Sequence, residues 1–159
     1  MKNTVCCFTG HREIPAEKYM YIKGNLDEEI ENQIKKGVTT FCAGGAKGFD
    51  TIAAVSVLAA RRSHPEIKLV LILPCANQAQ YWSELDKLNY EEIKRRADEV
   101  IVLSEHYTNF CMQLRNRALV DRSGVCICYL EKNTGGTAYT VNYAKKQGLE
   151  IINVIDEKR

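Results

Sequence analysis

The stretch FCAGGAKGFDTIAA, Phe41 to Ala54, runs from an apolar segment through three glycines into a small-residue segment that can form a helix. Gly44, Gly45 and Gly48 lie close together, with Lys47 and Asp50 beside them. Two readings compete. A tight strand-to-helix turn needs glycine where the chain takes positive φ. A phosphate site needs bare backbone at a helix N-terminus, so that an anion can reach the free N–H groups. The spacing is not Walker A, since no Lys-Ser/Thr pair follows the right gap, and it is not G-x-G-x-x-G. Asp50 can cap the helix or accept bonds from a ribose. Either way, a strand ends here and a helix begins.

That pairing repeats along the chain. Thr4–Thr9, Val38–Ala43, Ile67–Leu73, Glu99–Leu103, Val125–Leu130 and Ile151–Ile155 are short, β-branched and almost continuously apolar. Strands covered on both faces read this way. Between them lie helix-period segments. The first follows Pro15 and repeats Tyr19, Ile22, Leu26, Ile30 and Ile34 at spacings of three and four. It ends on Lys35, Lys36 and Gly37, cations and a glycine that suit a helix C-terminus. Arg122-Ser123-Gly124 and Lys145-Lys146-Gln147-Gly148 repeat that ending. Further helices are expected over about Phe49–Arg62, Ser83–Ala97, Asn109–Arg122 and Gly136–Gln147, with a short helical turn at Gln78–Tyr81. Alternation of this kind implies one Rossmann-like α/β domain over residues 1–159, a three-layer sandwich with a mostly parallel sheet.

The totals agree with a single soluble domain: 159 residues, 45% hydrophobic and 26% charged. A net charge of +2 is too small to predict a nucleic-acid partner. The seven cysteines are scattered within apolar runs and lack metal-ligand spacing, so free thiols in a reducing cytoplasm are expected and no metal. No segment approaches the roughly 20 apolar residues of a membrane span, and the N-terminus lacks the apolar region of a signal peptide. The expected location is the cytoplasm. A homodimer is a possibility that the apolar helix faces leave open, and no cofactor is called for.

In parallel α/β sheets ligands bind beyond the carboxyl ends of the strands. The loops entering the strands here are ordinary helix endings. Those leaving them read TGHRE, AGGAKGFD, PCANQAQYW, SEHYTNF and EKNTGGTAY. Gly10, Gly44, Gly45, Gly48, Gly135 and Gly136 all lie in this second set, as do His11, Arg12, Lys47 and Trp82. Thr134-Gly135-Gly136-Thr137 is a second glycine turn opening a helix, read either as a loop with a threonine cap or as an anion site. Arg12 can pair bidentately with phosphate. His11 can bond a ligand or cap a loop. Arg115 lies inside the fourth helix but beside apolar residues that can hold it near the sheet edge. Trp82 can stack on a base or cover the core, the latter slightly favoured. Two glycine turns on one edge suit a ligand with separated polar parts, such as a nucleotide or dinucleotide.

TGHR, GGAKGFD, LPCANQAQYW, QLRNRALVDRSGVCICYL and GGTAYTVNYAKKQG follow one another in an order that resembles the YpsA-like family of the SLOG superfamily, from Val5 to Val154. That superfamily also holds the Smf/DprA DNA-processing proteins and the LOG phosphoribohydrolases. The resemblance implies a Rossmann-like fold that binds nucleotides or NAD- and ADP-ribose-derived signals at the strand-end edge. It matches Gly44, Gly45, Gly48 and Asp50 to the first glycine motif, Arg115 to a substrate-facing arginine, and Gly135, Gly136 and Thr137 to the second. LOG enzymes carry P-G-G-x-G-T-x-x-E, ending in a catalytic glutamate. Here the turn reads TGGTAYTVN, with Val141 and Asn142 where the carboxylate is wanted. Asparagine cannot act as a general base. A nucleotide-binding module is therefore the first expectation. N-glycosidic cleavage is the alternative, with a carboxylate drawn from Glu84, Glu105 or Glu131, and DprA-like binding of single-stranded DNA a third. Gly45→Val is expected to abolish ligand binding and leave the fold intact.

Overall fold

Every apolar run forms a strand and every helix-period segment a helix in the computed structural model, which describes residues 1–159. A short 3₁₀ turn, Lys2–Thr4, leads into β1 (Val5–Gly10). There follow α1 (Ala16–Lys35), β2 (Thr40–Ala43), α2 (Phe49–Ala60), β3 (Lys68–Leu73), α3 (Glu84–Arg96) and β4 (Glu99–Val102). The chain ends with α4 (Cys111–Asp121), β5 (Val125–Tyr129), α5 (Gly136–Lys146) and β6 (Glu150–Asn153). The strands form one sheet in the order β4-β3-β2-β1-β5-β6, and every neighbouring pair is parallel. The chain thus works outward from β1 to β4, then returns across the sheet to place β5 on the free side of β1. The point where the direction reverses lies between β1 and β5.

Alternate residues of each strand face opposite layers. Phe8, Phe41, Leu69, Leu71 and Leu73 pack with Ile22, Leu26 and Ile30 of α1, with Phe49, Ala53 and Val57 of α2, and with Tyr90 and Ile93 of α3. On the other face Cys7, Cys42, Val70, Ile72, Cys126 and Cys128 pack against Leu119 and Val120 of α4 and Val141 and Ala144 of α5. The expected three layers are therefore present. All seven cysteines are free and buried. Cys42, Cys7 and Cys126 lie side by side in the sheet register, and burial pushes the Cys42 thiol up to about 12.

Three local expectations change. β4 is an edge strand and only half covered, with Val100 37% and Val102 46% exposed. Its apolar run reflects β-propensity and one packed face. On α1, Tyr19 is 39% exposed, so the buried stripe starts at Ile22. Gly37 and Gly148 take the left-handed conformation expected after helices, at φ 101° and 84°, but Gly124 does not. There the Ser123 hydroxyl donates to the Leu119 carbonyl at 2.7 Å and finishes α4 instead. The Gln78–Tyr81 segment forms consecutive turns, with Gln80 N–H donating to Asn77 and Trp82 N–H to Ala79. No helix is long and apolar enough to cross a membrane.

Candidate functional site

The carboxyl ends of β1, β2 and β5 open onto a cavity of about 450 Å³, at the point where the strand order reverses. Its walls come from the segment after β1 (Gly10, His11, Arg12), from Ala46 and Asp50 after β2, from Arg115 and Asn116 of α4, and from Lys132 and Thr134–Thr137 after β5. The long crossover from β4 carries α4 back over the sheet, and this brings Arg115 beside loops distant from it in sequence. Of the residues expected at a site, Gly10, His11, Arg12, Asp50, Arg115, Gly135, Gly136 and Thr137 are gathered here. Gly44, Gly45, Lys47, Gly48 and Trp82 do not line this cavity.

The two glycine bends differ. In the first, the glycines admit other parts of the protein. A Cβ on Gly44 would lie 2.5 Å from the Arg115 guanidinium, and one on Gly45 would lie 2.6 Å from Leu73. A Cβ on Gly48 would lie 2.1 Å from the Arg12 carbonyl oxygen. Two amides of this stretch are taken as well: Ala46 N–H donates to Asp50 Oδ2 at 3.2 Å, and Phe49 N–H donates to the His11 carbonyl at 3.1 Å. Asp50 therefore closes the loop that precedes α2. Gly45→Val is accordingly expected to disturb the fold, because φ is +73° and Leu73 occupies the space.

The second bend is open. Gly135 takes φ 99° and precedes α5 with no side chain capping the helix. Thr134 therefore supplies no cap. A Cβ on Gly135 or Gly136 would meet nothing within 4 Å. The amides of Gly136, Thr137 and Ala138 find no acceptor in the protein. These are the orphan donors of a helix start, carrying the positive end of its dipole.

Arg115 is only 5% exposed. One terminal nitrogen donates to the Gly44 carbonyl, Nε donates to Asn116 Oδ1 at 2.9 Å, and the other terminal nitrogen lies 3.6 Å from Met112 Sδ. Burial lowers its pKa, with Asp50 opposing and Arg12 adding to the effect. Burial likewise raises the Asp50 carboxyl above the usual aspartate range, against the pull of Arg115, the Ala46 amide and Arg12. Both groups are anchored to the loop after β2, Arg115 at the Gly44 carbonyl and Asp50 at the Ala46 amide, and both line the cavity.

His11 faces two spaces. It lines the main cavity and a second chamber of about 620 Å³ beside it, to which Arg12 and Lys132 also belong. The Glu131 N–H donates to His11 Nε2 at 2.9 Å, and the ring sits edge-on to Tyr129 at 5.0 Å. Burial and Lys132 lower the imidazole pKa. The neutral ring thus carries its proton on Nδ1. Trp82 lies elsewhere: it packs edge-on against Tyr90 at 5.1 Å, with Lys47 Nζ 5.8 Å from its ring. Both help cover the core near α3.

Lys132 was not singled out by the sequence, although it lies in the EKNTGGTAY loop, and Thr134 was read only as part of the glycine turn and as a cap. A cation two residues before a glycine turn was the available signal. Of the three glutamates considered, Glu131 reaches the second chamber, while Glu84 and Glu105 line neither space.

Comparison with known proteins is consistent with the motif order. A family model described as the YspA SLOG family matches residues 6–155. A UPF0398 protein of Halalkalibacterium halodurans is 32% identical over 130 residues, covering 80% of this chain and 69% of that one. An uncharacterised SPbeta prophage-derived protein of Bacillus subtilis, YoqJ, is 30% identical over 138 residues, covering 79% and 81%. Among solved structures, DNA processing protein A of Streptococcus pneumoniae aligns with a TM-score of 0.67 at 19% identity, over 92% of this chain and 48% of its own. The corresponding protein of Helicobacter pylori gives 0.63 at 20% identity, over 94% and 64%. This chain thus spans about half to two thirds of the length of those two proteins. Such likeness shows a shared fold. The Helicobacter protein is described by its single-stranded DNA binding mode, so the expectation against a nucleic-acid partner gains no support from these neighbours. With a family model matched from the first strand to just past the last, and relatives at this level of identity, the chain belongs to the YspA SLOG family.

Proposed function

We propose that the cavity binds the phosphate-bearing part of a nucleotide or nucleotide-derived small molecule, as a sensing or sequestering site. The observation that carries this is the open start of α5: Gly136 and Thr137, whose amides have no partner, line the cavity together with Arg12 and Lys132. Helix-terminal amides and nearby cations together favour an anion. The location between β1 and β5 is where parallel sheets of this order hold their ligands.

Binding without turnover is the favoured form. Val141 is 2% exposed and packs in the core, and Asn142 has no carboxylate to offer. Asp50 is the one carboxyl lining the main cavity, and it is engaged by the Ala46 amide. A small molecule is favoured over a nucleic-acid strand because the anion-binding groups converge on one hollow, and because Trp82 is packed against Tyr90. An exposed stacking platform is what strand binders use.

Calorimetric titration with AMP, ADP, NAD and ADP-ribose tests the proposal. Gly136→Val places a side chain where the anion is expected, at a glycine with free space around it and no positive φ. The variant is expected to keep its melting temperature and to lose about tenfold or more in affinity. Absence of heat at millimolar concentrations across the panel with the unaltered protein overturns the proposal.

A further inference from the structure

We infer that the second chamber is a sugar subsite of the same ligand, in which Glu131 and His11 receive a pair of neighbouring hydroxyls. This rests on the nucleotide proposal and extends it to ligands carrying a second sugar beyond their phosphates. The chamber opens between the segment after β1 and the segment after β5, with Tyr129, Glu131 and Pro15 in its walls. It meets the main cavity at His11, Arg12 and Lys132, which line both. A ligand whose phosphates lie against Arg12 and Lys132 therefore has room on either side.

The polar groups of the chamber suit hydroxyls better than another anion. Glu131 Oε1 accepts from the Tyr129 hydroxyl and from Lys18 Nζ, both at 3.0 Å, and Oε2 accepts from Lys18 at 2.8 Å. This carboxylate is held in place from α1 and from the end of β5. Lys18 and Tyr129 lower its pKa, so at neutral pH it is an acceptor only. Oε2 has one protein donor, Lys18, and Glu131 lines the chamber. The Glu131 amide occupies His11 Nε2, which leaves Nδ1–H as a donor with no acceptor in the protein. A fixed acceptor and a free donor, supplied by contacting residues, match one hydroxyl that donates and its neighbour that accepts. An additional phosphate would be repelled by Glu131. A hydrophobic group would leave the carboxylate and Nδ1–H desolvated and unpaired.

ADP-ribose adds a terminal ribose to the β-phosphate of ADP and, as a diester there, carries about one negative charge fewer at neutral pH. That difference is common to the unaltered protein and Glu131→Gln, and the two serve as paired probes for calorimetry. The unaltered protein is expected to bind ADP-ribose about tenfold more tightly than ADP, the effect of a hydrogen-bonded pair to a charged acceptor. Glu131→Gln, at an exposed position, is expected to remove that advantage and leave the ADP affinity unchanged. Equal affinity of the unaltered protein for the two probes overturns the inference, and so does an equal loss of both in Glu131→Gln. If ADP binds and the ribose adds nothing, only the sugar subsite falls. If neither probe binds, the nucleotide proposal falls with it.

Discussion

Gly48 shows how one residue couples the two halves of the site. Its φ of +75° is a region that other residues rarely adopt, and a Cβ there would meet the Arg12 carbonyl. Together with the Phe49 amide on the His11 carbonyl, this close approach fastens the segment after β1 to the start of α2. Gly48→Ala is expected to cost roughly 2–4 kcal/mol, combining backbone strain with displacement of that segment. Urea denaturation measures it, and a loss below about 0.5 kcal/mol, the range of neutral substitutions, would contradict the close approach. The sequence could not separate the two glycine bends, for a physical reason. A missing Cβ makes space, and nothing local says whether a ligand or a distant side chain fills it. At Gly44 the occupant is Arg115, which lies 71 residues further on. At Gly136 the space stays open.

Helix boundaries were more legible, because their signals act over three or four residues. Ser83 begins α3 with its hydroxyl accepting from the Asp86 amide at 3.2 Å, Glu84 and Asp86 fill the first turn, and Lys94, Arg95 and Arg96 fill the last. The charges at both ends complement the helix dipole. Ser83→Ala should destabilise the protein by about 1 kcal/mol, the usual worth of such a cap, without altering ligand affinity. Thermal unfolding followed by circular dichroism reads the first part and the calorimetric titrations the second. Where the element reading failed, the missing information was tertiary. The Val100 and Val102 pattern of β4 is the same whether a helix covers the strand or not, and Tyr19 has an apolar ring that tolerates partial exposure.

The whole-molecule arrangement was legible as a class and not as an order. Alternating strands and helices imply a parallel sheet with right-handed crossovers, and the sheet is parallel throughout. Nothing in the spacing of segments stated that the chain would turn back after β4. That return opens the cavity beyond the carboxyl ends of β1 and β5, and Arg12, Arg115 and Lys132 all line it. The glycine turns pointed to the edge of the sheet at which the cavity opens, but the position of the cavity along that edge depends on strand order.

The sealed cysteines give this molecule a built-in timer. No sulfhydryl can be alkylated from solvent while both sheet faces remain closed, since each of the seven side chains is at most 1% exposed. If the domain opens as one cooperative unit, intact mass spectrometry of samples pulsed with iodoacetamide should show unmodified and fully carbamidomethylated chains with few intermediates. Saturating nucleotide should lengthen the lifetime of the unmodified peak by the factor that binding energy contributes to stability. Early labelling confined to Cys75 and Cys111 would instead reveal that the loop after β3 and the start of α4 part company before the rest.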